Sequence, residues 1–159
     1  MFHAIRTPIL VACAALSCIV IGCGPSGPPL YSVKGKVTVN GKPAAKAVVF
    51  FHRKGKTDVN EHTPFGKAND DGSFSISTTP DQEGAQAGEY VVTVIWPDMT
   101  KPEDSNGGRP DALHGLYDKV ASSKLTATVK PEPNTLAPFE LTITAAQAAK
   151  PEPKDPNNK

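Results

Sequence analysis

Apolar side chains recur at every second position in several short stretches of this sequence, and this spacing restricts the chain to β-structure. Val37 and Val39, for example, alternate with Lys36 and Thr38, as in a strand with one buried face and one solvated face. Similar or continuously apolar stretches occupy residues 33–39, 47–51, 65–68, 74–76, 90–96, 124–129 and 139–144. We therefore predict an all-β fold, a seven-stranded antiparallel sandwich.

Turn-forming residues separate these stretches. The chain has 16 prolines and 13 glycines, most of which lie between the apolar stretches, as in a chain with frequent turns. Asn40-Gly41 and Asp71-Gly72 are typical of two-residue hairpin turns, because both pairs tolerate positive φ angles. The single helical candidate, residues 111–120, is short and contains a glycine. We predict a turn there and no helix in the chain.

The first 22 residues have the layout of a secretory signal peptide. Arg6 precedes an apolar segment, residues 8–21, that is shorter than the 20 or so apolar residues of a membrane-spanning helix. A retained N-terminal membrane helix is the alternative. The segment ends in Val20-Ile21-Gly22-Cys23, which resembles the lipobox of bacterial lipoproteins. That resemblance implies cleavage before Cys23, attachment of a diacylglyceryl group to its sulfur, and acylation of its new amino group.

The distribution of cysteines agrees with this processing. Cys13 and Cys18 lie in the segment that would be removed, so Cys23 would be the single cysteine of the mature chain. This excludes an internal disulfide, a thiolate metal site and a cysteine nucleophile. Two or more acyl chains hold a protein stably at a membrane. An aspartate directly after the lipidated cysteine would resemble an inner-membrane retention signal, but here Gly24 follows Cys23. By analogy we therefore expect the outer membrane of a bacterial cell envelope.

The mature chain would have one domain and no net charge. The 17 basic residues include Arg6, so 16 basic and 16 acidic residues remain after cleavage. This balance argues against a nucleic-acid partner, which would need a basic surface. We expect residues 23–30 to be the lipidated cysteine and a short linker, residues 31–145 to be the sandwich, and residues 146–159 to be a disordered polar tail.

Four segments together resemble the carboxypeptidase regulatory-like domain. They are Val33 to Pro43, Ala47 to Phe51, Gly66 to Phe74 and Gly88 to Val94. This family is similar to transthyretin (prealbumin-like) proteins, which implies a seven-stranded Greek-key sandwich over residues 31–145. The segments Leu116-Tyr117-Asp118, Ser123 to Thr126 and Phe139 to Leu141 resemble a lipoprotein subgroup of planctomycete-type bacteria. These motifs are turn and core residues, so they concern the fold more than any ligand.

The sequence offers no catalytic, metal or cofactor site. Asn69 to Gly72 resembles the start of a calcium loop, but Thr78 stands where the closing glutamate would be, so we predict a hairpin turn. His52, His62 and His114 are too scattered for a zinc site. No Gly-x-Ser-x-Gly motif is present. The hydroxyisourate hydrolases of the transthyretin superfamily end in Tyr-Arg-Gly-Ser, whereas this chain ends in Pro-Asn-Asn-Lys.

The long connection between residues 97 and 123 is the candidate binding site. Structureless connections beyond about 12–15 residues are uncommon in compact domains and are often functional. Trp96, Arg109, His114 and Tyr117 lie in or beside this connection, where they could contact a sugar ring or a peptide. In the alternative, Leu113, Leu116 and Tyr117 close one end of the core.

These observations predict a lipid-anchored envelope lipoprotein whose sandwich is a non-catalytic interaction or structural module. Acylated Cys23 would contact membrane lipid, and an envelope protein or glycan is the expected partner, since sheet edges and end loops recruit partners. Two alternatives remain: a small-ligand or glycan-binding module, and an accessory domain of an envelope hydrolase system. An enzyme would need clustered titratable groups in a cleft.

Overall fold

A computed structural model describes residues 27–55 and 62–148 of the chain. Within these ranges the secondary structure is almost entirely β, as predicted. The strands are β1 (Leu30–Tyr31), β2 (Val33–Val39), β3 (Lys42–Pro43), β4 (Val48–Arg53), β5 (Phe65–Lys67), β6 (Ser73–Ser75), β7 (Ser77–Thr79), β8 (Gln82–Glu83), β9 (Ala85–Gln86), β10 (Gly88–Ile95), β11 (Thr126–Val129), β12 (Asn134–Thr135) and β13 (Phe139–Leu141), and the helix is α1 (Ala145–Ala148). The signal segment, Cys23 and residues 149–159 lie outside the described ranges.

The strands form two main sheets. The large sheet has the order β11-β10-β4-β5-β7-β8, and in the small sheet β2 pairs with β3, β6, β12 and β13. β1 and β9 form a separate two-stranded pair. The described residues contain no helix with the length and apolar character needed to cross a membrane.

The inward side chains of the two main sheets form one core. Phe51 and Tyr90 pack in the large sheet with ring centroids 5.6 Å apart, and Phe74 and Phe139 stack in the small sheet at 6.1 Å. Valines of both sheets fill the space around these rings, among them Val33, Val37, Val49, Val92 and Val94. A sandwich-like arrangement therefore follows from the period-two pattern, because the buried positions are the alternating apolar ones.

Each of the seven predicted stretches contains a strand, namely β2, β4, β5, β6, β10, β11 and β13, and shorter strands occur beside them. The prediction that all pairing is antiparallel is wrong, because β12 and β13 pair with β2 in parallel. No tight turn joins these strands to β2. Alternation of side chains reports which face is buried and carries no information on strand direction.

The Asn40-Gly41 hairpin is confirmed. Asn40 has a φ of 49° and Gly41 a φ of 77°, and Val39 pairs with Lys42 across the turn. Two positive φ angles are the requirement of a type I′ turn, whose twist matches that of the flanking strands.

The Asp71-Gly72 turn closes locally, because the Gly72 N–H donates to the carbonyl of Asn69 at 3.0 Å and the Asn69 N–H donates to that of Ser73 at 2.8 Å. The strands on its two sides, however, do not pair with each other. β5 belongs to the large sheet, whereas β6 pairs with β2 in the small sheet. After Ile76 the chain passes back to the large sheet, where Ser77 pairs with Phe65. Such bends between sheets occur at the corners of sandwiches, and a local turn signal does not distinguish a corner from a hairpin.

Helix α1 corrects the prediction of a helix-free chain. Thr144 and Gln147 form a reciprocal cap: the Thr144 N–H donates to Gln147 Oε1 at 2.9 Å, and the Gln147 N–H donates to Thr144 Oγ1 at 3.2 Å. This is the capping box that a threonine and a glutamine three residues apart favour. The helix extends into the stretch predicted to be a disordered tail, although none of its residues is buried.

We distinguish the two ends of the sandwich as the entry end and the far end. At the entry end, β1 pairs with β9 two residues before β10 begins. At the far end, β10 finishes at Ile95, opposite Val48 at the start of β4. With a rise of about 3.4 Å per residue, β10 separates these ends by about 24 Å.

Candidate functional site

One carboxylate organises the middle of the connection between β10 and β11. Asp111 Oδ1 accepts hydrogen bonds from the backbone N–H groups of Trp96 at 2.9 Å and Leu113 at 3.0 Å, and Oδ2 accepts one from Gly115 at 3.0 Å. Pro97 and Asp111 also form an isolated β-bridge. A connection with these bonds is pre-organised, so a partner would not have to order it on binding.

Leu113 and Tyr117 pack against the far end of the core. Leu113 is fully buried, and Tyr117 is partly buried against the core cluster. The Tyr117 hydroxyl donates to the carbonyl of Thr142 at 3.0 Å and accepts the Thr142 N–H at 3.1 Å. Leu113 and Tyr117 therefore help to close one end of the core, as the alternative interpretation of the connection predicted. Leu116 does not, because it is 37% exposed.

Trp96 and Arg109 bind other parts of the chain. Trp96 Nε1 donates to the carbonyl of Ala45 at 2.9 Å. Arg109 Nη2 contacts Glu103 Oε1 at 3.0 Å, and Nη1 donates to the carbonyl of Lys101. The four predicted binding residues thus belong to one connection, but the partners described here for Trp96, Arg109 and Tyr117 are separate, and none of those contacts joins two of the four.

His114 has an unusual environment within the connection. Its φ is 52°, in the left-handed region, and its N–H donates to the carbonyl of Asp111. In the described part of the chain, His114 Nδ1 is the one buried side-chain polar atom without a hydrogen-bond partner. The nearby Asp98 has a pKa below its usual value, chiefly because the Thr100 hydroxyl and N–H bind its carboxylate.

The connection also exposes apolar side chains that are not among the four predicted binding residues. Met99 is 58% exposed and Val120 44% exposed. With Leu116 they account for three of the four large apolar side chains exposed on the described residues. These residues stand in a segment without regular periodicity, so no pattern marked them as exposed.

His52 and Thr93 form a pair on the outer face of the large sheet. His52 Nε2 lies 2.9 Å from Thr93 Oγ1, and burial lowers the pKa of His52. A histidine beside a hydroxyl is the first part of a nucleophile relay. Thr93 is only 2% exposed, however, so a substrate could not reach its hydroxyl in this conformation.

The carboxylates of the Asn69–Gly72 turn contact their own chain. Asp70 Oδ1 lies 2.7 Å from Lys46 Nζ. Asp71 Oδ1 accepts hydrogen bonds from the Ser73 N–H and hydroxyl, which lower the pKa of Asp71. Across residues 27–55 and 62–148, no three His, Cys, Asp or Glu side chains are grouped as metal ligands. The absence of metal and cofactor stays a prediction.

No protein-family model matches the chain, and no curated protein is significantly similar to it in sequence. Among solved structures, a DUF3823 family protein from Parabacteroides merdae is similar, with 15% sequence identity and a TM-score of 0.37. The match covers 74% of this chain and 47% of that one, so this chain matches about half the length of that protein.

Proposed function

We propose that this protein is a lipid-anchored module of a bacterial cell envelope that binds a partner and catalyses no reaction. Its sandwich would be a carboxypeptidase regulatory-like domain in which β2, β4, β5, β6, β10, β11 and β13 are the seven strands of a Greek key. The anchor would be acylated Cys23, in the outer membrane by analogy with its lipobox.

This proposal is supported by the separation between the N-terminal linker and the candidate binding connection, which lie at opposite ends of the sandwich. A linker of six residues, 24–29, would join lipidated Cys23 to β1 at the entry end, whereas the candidate binding connection begins at the far end, after Ile95. A proline-rich linker of this length reaches only about 20 Å. The strands would then stand along the membrane normal and hold the connection away from the lipid surface.

The chemistry of the connection favours a protein over a glycan. Sugar rings stack on exposed aromatic faces, yet Trp96 and Tyr117 are partly buried and pack against the core cluster. The side chains that remain exposed are aliphatic or thioether groups, such as Met99 and Val120. Such groups fit an apolar pocket on a protein partner.

A non-catalytic role is supported by how the polar side chains are used. Asp111 binds three backbone N–H groups of its own chain, and His52 contacts a threonine that solvent barely reaches. A catalytic pair needs access to its substrate.

Lipid labelling tests the anchor. Cells that express the wild-type protein and are fed labelled palmitate should yield labelled protein in the membrane fraction. Cys23→Ser should abolish both the label and the membrane association, while Cys13→Ser should change neither. An unlabelled wild type, or equal labelling of the Cys23→Ser variant, would refute the anchor.

Photo-crosslinking tests the binding role. A photoreactive residue in place of Met99, at the far end, should trap a discrete protein partner in intact cells. The same residue in place of the exposed Glu132, at the entry end, should not trap that protein. Identical products at both positions would contradict a binding site on the connection.

A further inference from the structure

The outer face of the large sheet is apolar at its centre. On β4 and β10 the outward positions alternate with the buried ones, and most of them carry half-buried apolar side chains. We define the apolar face as Val48, Phe50, His52, Phe65, Val91 and Ile95. Thr93, the outward residue between Val91 and Ile95, is a polar interruption and is only 2% exposed. Phe65, on β5, is 42% exposed.

The strand register brings these side chains together. Val91 pairs with His52, and Ile95 pairs with Val48. Phe50 pairs with Phe65 on its other side, and the centroids of their rings are 6.1 Å apart. The residues therefore form one continuous patch across β10, β4 and β5.

The small sheet provides an internal comparison. Its outward positions on β2 are Lys34, Lys36 and Thr38, which pair with Ser75, Ser73 and Glu140. A solvated outer face is normally polar in this way. Since both sheets cover the same core, packing inside the sandwich does not account for the difference between the two outer faces.

We propose that the apolar face is an interface between two copies of this chain. The side chains around it are polar, for example Thr126 and Thr128 on the neighbouring strand β11 and Lys67 on β5. An apolar centre with a polar rim is the usual anatomy of a protein interface. A second copy presents the same uncharged surface, so a two-fold axis can bring the patches together without charge repulsion.

The dimensions of the face predict a weak dimer. The apolar face and the rim strand β11 together span four strands; at a spacing of about 4.8 Å and a strand length of about 20 Å they give an area on the order of 400 Å² per copy. The total burial of about 800 Å² is less than the roughly 1,200 Å² of a stable specific interface, so the dimer is expected to be weak and transient. If the chain is anchored as proposed above, the face points sideways along the membrane, where confinement raises the effective concentration of copies.

Sedimentation of residues 24–159 tests the dimer without the lipid. The buried residues of the described chain all lie between Val33 and Leu141, so this fragment contains the whole described core. We expect self-association that rises with concentration. Phe65→Lys should raise the dimer dissociation constant about tenfold or more, because a lysine within the interface would have to be desolvated.

Val120→Lys is the matched control, because Val120 and Phe65 have nearly the same exposure, 44% and 42%, and only Phe65 lies on the apolar face. It should leave the dissociation constant unchanged. If Phe65→Lys impairs folding, nuclear magnetic resonance of the wild type provides a second readout. Shifts that change on dilution should be confined to the apolar face and its rim.

A wild type that stays monomeric up to about 1 mM would overturn the proposal. Chemical shifts that change on dilution in the small sheet would also overturn it. So would shifts on the apolar face that change only when an oligosaccharide is added, because they would indicate a glycan occupant. These measurements use lipid-free protein, so failure of the anchor at Cys23 would not affect their outcome.

Discussion

At the scale of single residues, Gly66 lies very close to the backbone of Ser75 at the end of β6. A Cβ atom at this position would be 2.3 Å from the backbone oxygen of Ser75 and 3.2 Å from Ile76 Cδ1. The first contact is far inside van der Waals distance, and a backbone atom cannot move away as the end of a flexible side chain can. Glycine is therefore required at this crossing of β5 and β6.

We predict that Gly66→Ala lowers the free energy of unfolding by about 1–3 kcal/mol, the usual cost of overpacking. Urea denaturation measures the change. Gly27→Ala is the control, because a Cβ atom at Gly27 would have nothing within 4 Å; it should change stability by less than about 0.5 kcal/mol. Equal effects of the two substitutions would contradict the close approach at Gly66.

His52 makes stability depend on pH. Burial penalises the charged imidazolium, so the folded pKa of His52 lies below 6.5, and the unfolded chain takes up this proton at a higher pH. Stability is therefore complete above pH 6.5 and decreases as the pH falls from 6.5 to the lowered pKa. We predict a lower free energy of unfolding at about pH 5.5 than at about pH 7.5.

Substituted histidines identify the source of this dependence. His52→Gln should reduce the difference between the two pH values, whereas His62→Gln, at an exposed position, should retain it. Urea denaturation of the three proteins at both pH values makes the comparison. A His52→Gln protein with the full wild-type difference would show that another group is responsible.

At the scale of elements, the connection between β10 and β11 depends on Asp111. Replacing it with alanine leaves the N–H groups of Trp96, Leu113 and Gly115 without this acceptor. Hydrogen bonds to a charged group contribute about 1.5–3 kcal/mol each, partly replaced by water when lost. We predict that Asp111→Ala lowers the free energy of unfolding by about 2–4 kcal/mol and speeds hydrogen exchange at these three amides.

Asp104→Ala is the control for Asp111→Ala. Asp104 Oδ1 also accepts backbone hydrogen bonds, from Asn106 and Gly108, but at an exposed part of the connection. Water can replace this acceptor, so stability should change by less than about 0.5 kcal/mol. Equal destabilisation by both substitutions would contradict the prediction that the connection depends on Asp111.

The sequence predicted the elements better than their arrangement. Alternation located a strand in each of the seven predicted stretches, because burial of one face is a local property of a strand. It did not separate β7, which has three residues like β5, from the stretch before it. The Asn40-Gly41 hairpin followed from two positive φ angles that few residue pairs tolerate. The parallel pairing of β13 with β2 could not be predicted, since nearly 100 residues separate the partners and no short turn sets their direction.

The candidate site was only partly predictable for a related reason. Length alone marked the connection after Trp96. Its side chains, however, have partners that are distant in sequence: Ala45 lies 51 residues from Trp96, and Thr142 lies 25 residues from Tyr117. Residue types suggested a binding surface, while these contacts use two of the four candidates to hold the connection against the core.

At the scale of the whole molecule, the entry end can be identified in both sheets. In the large sheet, the entry end has the start of β10 beside Val129. In the small sheet, it has the start of β2 beside Asn134. The Asn40-Gly41 turn, Trp96 and the hydroxyl of Tyr117 lie at the far end. A short linker at the entry end would thus orient the whole domain.

This orientation can be measured on vesicles that contain the lipidated protein and a headgroup quencher. Since acylation would occupy the Cys23 sulfur, a cysteine introduced at Met99 or at Glu132 would be the single free thiol for a fluorophore. We predict strong quenching at position 132 and weak quenching at position 99, because the ends are about 24 Å apart along β10. A flexible insert of about 20 glycine and serine residues after Gly27 spans about 25 Å on average and should remove the difference. Equal quenching with the native linker would mean that the domain lies flat on the membrane, with its connection no further from the lipid than its entry point.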